Sequence, residues 1–196
     1  MIKLIEFGSA PANIVDRATI TDLLQQLRAA ANNSDIKLVV LKGAGDHFSY
    51  GASVQEHLPG VVDEMLSEFH QFMSEVNRLQ LPPLMAAVKG RCLGGGFELA
   101  LLCDIIAVAD DALLGCPEIK LGVFPPAGSA LLPLRAGAGR ASEMLCSGRL
   151  IDAQTAIEYS IAEHMFSADN FMNEIEEWAS KNLSSLSASS LRHTRA

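Results

Sequence analysis

Glu98 and Glu118 are the side chains of this 196-residue sequence best suited to do chemistry, because each is set among apolar neighbours. Glu98 lies between Phe97 and Leu99 and is followed by Ala-Leu-Leu-Cys; Glu118 sits in Cys116-Pro117-Glu118-Ile119. A carboxyl group withdrawn from water resists ionisation, so its pKa rises and it can trade protons near neutral pH. A plainer reading stands beside this one: Glu98 complements the positive end of a helix, and either glutamate is simply solvated. Spacing along the chain does not by itself bring the two together.

Gly94-Gly95-Gly96 directly precedes Phe97-Glu98. Successive glycines let a backbone approach a ligand closely, and the first turn of a helix offers N–H groups that have no intrahelical partner. The combination suits an anion or an oxyanion, although such a run also serves as a packing or turn device. It is neither a Walker loop, since no Lys-Ser/Thr ending follows, nor a GxGxxG dinucleotide motif. A second loop, Phe48-Ser49-Tyr50-Gly51-Ala52-Ser53, follows an apolar strand. It either adds a further backbone N–H or turns at the surface.

The elements that must position these residues are legible from periodicity. Residues 2–7 alternate weakly and read as a short strand. Ile20, Leu23, Leu24, Leu27 and Ala31 follow helical spacing up to the stop at Asn32-Asn33-Ser34-Asp35. Residues 38–41 form the continuous apolar run of a strand covered on both faces. After a loop over 43–60, Val61, Met65, Leu66, Phe69, Phe72, Met73, Val76 and Leu79 make one long amphipathic stripe closed by Pro82-Pro83. Then follow a strand at 84–88, a helix at 94–103, a strand at 105–109 and an extended piece at 112–115. Beyond Arg140 the pattern is mostly helical, at 141–146, 152–159 and 170–183. Strands alternating with helices put the chain in the α/β or mixed class, with largely parallel pairing.

Composition narrows the partners. With 49% hydrophobic and 19% charged residues, the chain suits one folding unit with a large core. A formal net charge of −8 at pH 7 disfavours nucleic acid and anionic membranes as main partners. The first ten residues lack the sustained apolar stretch of an export signal, and the longest apolar run, 99–109, is broken by Asp104. It falls short of the roughly 20 residues that span a bilayer. Cys92, Cys103, Cys116 and Cys146 form no CxxC pair, and the histidines show no ligand-like grouping, so buried reduced thiols, no metal and a cytoplasmic location are expected.

Taken together, Pro83-Leu84-Met85-Ala86-Ala87-Val88-Lys89-Gly90, Cys92-Leu93-Gly94-Gly95-Gly96-Phe97-Glu98-Leu99-Ala100, Cys103-Asp104-Ile105 and Pro117-Glu118-Ile119-Lys120-Leu121-Gly122 resemble the central signature of the crotonase (enoyl-CoA hydratase/isomerase) superfamily. The likeness runs from residue 2 to about residue 188. It implies a mixed α/β spiral of repeated ββα units with mainly parallel strands and shortened C-terminal helices. Residues 1–139 would form the acyl-CoA-binding core and 140–196 a helical region of the same folding unit. By resemblance, Ala52 and Gly95 donate the two N–H groups of an oxyanion hole, and Glu98 and Glu118 are the acid/base pair. Gly51, Ser53, Val54, Gly94, Phe124 and Pro126 border the substrate, and the loop 52–55 neighbours its nucleotide portion.

The implied activity is hydration of a 2-enoyl-CoA thioester, with double-bond isomerisation or non-catalytic acyl-CoA binding as alternatives. Coenzyme A enters as part of the substrate, with no further cofactor, and the implied assembly is a homotrimer or a dimer of trimers. Pro11-Ala12-Asn13-Ile14-Val15-Asp16, the stretch from Ser49 to His57 and Gly122-Val123-Phe124-Pro125-Pro126 are most similar to the branch that hydrates cyclic dienoyl-CoA thioesters. Two positions depart from the family pattern. Ser53 stands where many members have Asp, and Pro126 stands where hydratases have a glycine whose N–H helps hold water, which proline lacks.

Overall fold

The computed structural model describes residues 1–53, 55 and 60–195. Strands β1 (Ile2–Phe7), β2 (Leu38–Gly43), β3 (Leu84–Val88), β5 (Ile105–Ala109) and β8 (His164–Phe166) form a parallel sheet in that order. A smaller sheet joins β4 (Arg91–Leu93) in parallel to β6 (Leu113–Gly115), which pairs antiparallel with β7 (Ile151–Asp152).

The chain alternates between the two sheets before each helix. β3 leads to β4 and then α3 (Gly95–Leu102); β5 leads to β6, a 3-10 turn at Glu118–Leu121 and α4 (Pro126–Ala136). Two earlier turns follow the same path with single bridges in place of the second strand. Val15, between β1 and α1 (Arg17–Ala31), bridges Ala52; Ser49, between β2 and α2 (Val62–Arg78), bridges Cys92. The protein is therefore mixed α/β around a mainly parallel sheet, as the strand and helix alternation implied, and is built from repeated ββα units, as the family resemblance implied.

Burial explains the continuous apolar runs. Val39, Leu41, Leu84, Ala86, Val88, Ile106 and Val108 face one side of the large sheet, packed in one core with Leu23 and Leu27 of α1, Phe69 and Phe72 of α2 and Phe97 of α3. Leu38, Val40, Met85, Ala87, Ala107 and Ala109 face the other side, where Phe171, Ile175 and Ala179 of α7 (Phe171–Leu183) cover them. A parallel strand with two covered faces has no polar side to present. α1 begins where Asp16 accepts a hydrogen bond from Thr19 N at 2.8 Å, the usual remedy for an orphan N–H at a helix start. It lies against α2, with Arg17 and Arg28 reaching Glu68 and Glu75 across the pair.

The remaining helices are α5 (Ala138–Ser147), α6 (Ala153–Glu158) and α8 (Ala188–Arg195). The boundary expected at residue 139 falls inside α5, and one core takes in Ile5 and Leu41 together with Ala141, Met144 and Ile151. α4 has no counterpart in the periodicity, because Pro126, Gly128 and Pro133 all weigh against a helix. Its contacts with α3 and α5 override that propensity, and proline is well tolerated at a first helical position. β7 and β8, of two and three residues, are too short to show a period. Three of the thiols are buried as expected; Cys146 is exposed, since α5 turns Ala141 and Met144 inward instead.

Candidate active site

All eight residues of α3 are buried, including Glu98 at 6% exposure. A helix this short has little stability of its own, so its position is imposed by what surrounds it. The three glycines at its start each accommodate a different neighbour. A Cβ on Gly96 would stand 2.5 Å from Ser49 Cβ and 2.6 Å from its Oγ; one on Gly95 would stand 3.2 Å from Ala52 N. One on Gly94 would stand 2.6 Å from Glu118 Oε1, and Gly94 in addition holds φ +50°, a conformation side-chain-bearing residues rarely adopt. The glycine run is thus the place where the 49–52 loop, α3 and Glu118 come together.

The 48–52 loop is not the surface turn that its glycine and serine suggested. Ser49 N donates to Arg91 O and Leu93 N donates to Ser49 O, both at 2.9 Å, so the loop continues the small sheet beside β4. On its other side Tyr50 N donates to Ala12 O at 2.8 Å and Val15 N to Gly51 O at 2.9 Å. Ser49 is fully buried, and its Oγ accepts from Gly51 N at 3.0 Å. Gly51 adopts φ +112°, and a Cβ there would lie 3.7 Å from Gly95 N. The amides of Ala52 and Gly95 are consequently neighbours, and Gly95, the first helical residue, has an N–H that no residue of its own helix can accept.

The two carboxyl groups meet this backbone from either side. Glu98 stands in the first turn of α3, with its N donating to Gly94 O at 2.9 Å. Its Oε1 accepts from Gly128 N at 2.7 Å, a buried bond to the first turn of α4. Glu118 opens the 3-10 turn after β6, and its pKa is pushed up to about 7. Burial is the main cause, a hydrogen bond to its own backbone opposes the shift, and the charge of Glu98 adds to it. Its Oε2 is buried with no hydrogen-bond partner among the described residues.

Of the other expected substrate neighbours, Gly51 and Gly94 belong to this cluster, and Ser53 follows Ala52 directly. Phe124 is 64% exposed, beside exposed Leu121 and Val123 on the link into α4, and Pro126 is the first residue of that helix. Val54 lies outside the described residues. Three residues of the cluster had no role in the sequence reading. Gly128 anchors Glu98, and its signal was a proline pair opening a helix. Ser49 packs under Gly96. Asn13, fully buried at φ +46°, donates from Nδ2 to Ala44 O at 2.8 Å and to His47 O at 2.7 Å, holding the chain that leads into Phe48.

A separate cleft of about 280 Å³ lies at the ends of β2 and β3, beside the start of α7, and is lined by Lys42, His47, Lys89 and Asn170 among others. It includes neither glutamate. Among the described residues no group of His, Cys, Asp and Glu side chains is arranged to hold a metal ion, and no helix is long and apolar enough to cross a membrane.

One glutamate on the α3 start and another on the turn after β6, within repeated ββα units, go with a class: the chain belongs to the enoyl-CoA hydratase/isomerase family, whose model matches residues 1–194, and it is an enzyme of that hydratase/isomerase type. More particularly, it is 40% identical over 182 residues to cyclohexa-1,5-dienecarbonyl-CoA hydratase of Thauera aromatica, covering 92% of this chain and 69% of that one. It is 33% identical over 177 residues to 2,3-dehydroadipyl-CoA hydratase of Escherichia coli, covering 88% and 68%. Among solved structures, the enoyl-CoA hydratase of Bacillus anthracis superposes with a TM-score of 0.92 at 32% identity, over 99% of this chain and 77% of that one.

Proposed function

We propose that this protein adds water across the double bond of a 2-enoyl-CoA or cyclic dienoyl-CoA thioester. The observation that carries the reading is the convergence of the Ala52 and Gly95 amides with Glu98 and Glu118 around one glycine run. The thioester oxygen is bound by the two backbone N–H groups, which stabilise the negative charge that develops as the double bond is polarised. Glu98, held by Gly128, takes a proton from water as its oxygen bonds to the β-carbon. Glu118, part-protonated near neutrality, delivers a proton to the α-carbon. Coenzyme A arrives with the substrate, and no separate cofactor enters the scheme.

The similarity to the Thauera aromatica enzyme supports a cyclic dienoyl-CoA thioester as the substrate. By family resemblance the working assembly is a homotrimer or a pair of trimers in the cytoplasm. Light scattering of the purified protein gives the mass that checks the assembly. A second reading, migration of the double bond, is favoured by Pro126, which has no N–H to offer water at the start of α4. Turnover of cyclic dienoyl-CoA and straight-chain enoyl-CoA thioesters in oxygen-18 water separates the two. Label in the product hydroxyl is expected; turnover without label would replace hydration by isomerisation, and no turnover of any thioester would end both.

A further inference from the structure

We infer that Cys116 is a positioning residue that fixes both carboxyl groups of the site relative to one another. Cys116 is 2% exposed, and its sulfur lies 3.0 Å from where a Cβ on Gly128 would stand, a point that Pro125 Cβ also approaches to 3.2 Å. The Cβ position of Gly128 is thus filled by a sulfur and a proline ring, and its N–H is the donor to Glu98 Oε1 at 2.7 Å. The size of the side chain at 116 sets where that N–H points. On its other side Cys116 passes through the single residue Pro117, whose φ is held at −83° by its ring, into Glu118 at the head of the 3-10 turn. One side chain thus reaches Glu98 through Gly128 and Glu118 through the backbone.

The sulfur acts by shape and by being neutral. Burial raises the Cys116 pKa, and the charges of Glu118 and then Glu98 raise it further, so the thiol stays protonated where the carboxyl groups titrate. A thiol is a weak donor, and in this place it keeps the floor of the pair apolar. A hydroxyl of nearly the same shape would instead offer a strong hydrogen bond to a carboxylate and lower the pKa of the acid it reached.

The inference rests on the function proposed above, and its test has a readout that does not. Cys116→Ala, Cys116→Val and Cys116→Ser are compared with the parent by steady-state kinetics, by the pH profile of kcat, and by the amide proton shift of ¹⁵N-labelled Gly128. Expected are a fall in kcat of about tenfold or more for Cys116→Val with KM within about twofold, since small misplacements of reacting groups are costly. Also expected are a moved Gly128 amide resonance in the alanine and valine variants and an alkaline limb displaced to lower pH in Cys116→Ser. If Cys116→Val fails to fold, the alanine and serine variants carry the comparison. Unchanged Gly128 resonances with unchanged pH profiles would overturn the inference. A parent protein that turns over no thioester would remove the proposed function, while the Gly128 resonances still decide the role of Cys116.

Discussion

The start of α3 and the 116–128 segment each supply one carboxyl group, and they hold it in opposite ways. The α3 start is buried, a Cβ on Gly96 would stand 2.5 Å from Ser49 and one on Gly95 3.1 Å from Ala52, and its Glu98 is bonded to the Gly128 amide. The 116–128 segment is a short 3-10 turn with a link whose Leu121, Val123 and Phe124 are 77%, 49% and 64% exposed. Its Glu118 is only partly covered and keeps one oxygen without a hydrogen bond among the described residues. One region is built for fixed geometry and the other for a change of charge. Two identical side chains are thereby held in different surroundings, and burial raises the pKa of Glu118.

The largest effects should come from removing the charges. Glu98→Gln keeps an oxygen for the Gly128 amide but cannot take a proton, and kcat should fall about 10³-fold with acyl-CoA binding nearly intact. Glu118→Gln should cost about 10²-fold or more. As proton donor Glu118 must be protonated for hydration, so the parent's rate should decline as the pH rises through about 7. That limb should persist in the residual activity of Glu98→Gln and vanish in Glu118→Gln; a limb surviving in the second variant would reverse the roles. Stopped assays from pH 5 to pH 9, with calorimetric binding, measure all of these.

Next come paired glycine substitutions, which compare the rigidity of the two regions. Gly96→Ala drives a methyl group against Ser49 at 2.5 Å inside a closed core and should destabilise the fold by about 3 kcal/mol. Gly122→Ala meets nothing within 4 Å and suffers only from its φ of +78°, so about 1 kcal/mol is expected. Urea unfolding of the two variants tests the difference, and equal losses would remove the distinction between a packed and an open region.

A further effect is on stability against pH. Burial raises the Glu118 pKa from 4.5 to about 7, so the folded state opposes its ionisation. The resulting loss is absent below about pH 4.5, grows as the pH rises through 7 and is complete above it. Each pKa unit corresponds to about 1.4 kcal/mol. After discounting for solvent screening at a partly exposed group, Glu118→Gln should be about 1–2 kcal/mol more stable than the parent at pH 8 and equal to it at pH 4. Urea midpoints at the two pH values check this.

Much of this arrangement was readable beforehand, and particular residues show why the rest was not. Leu38, Val39, Val40 and Leu41 announce a doubly covered strand because burial on both faces removes every polar position. The 61–79 stripe announces α2 because one helical face meets the core. The start of α4 was hidden by Pro126, Gly128 and Pro133, and with it the donor to Glu98. Of the second sheet only β6 was legible, as the extended piece at 112–115, because β4, β7 and the bridges at Val15 and Ser49 involve too few residues to display any period.

The sequence alone determined the mixed α/β class, the apolar settings of Glu98 and Glu118, and the glycines that a close backbone approach requires. These are local properties, carried by periodicity and by the absence of side chains. Only the tertiary structure decided that Gly94 seats Glu118, that Gly95 lies against Ala52 and that Gly128 holds Glu98. Each of those pairs joins residues far apart in the chain, and no local preference encodes a contact whose partner arrives only when the sheets and helices pack.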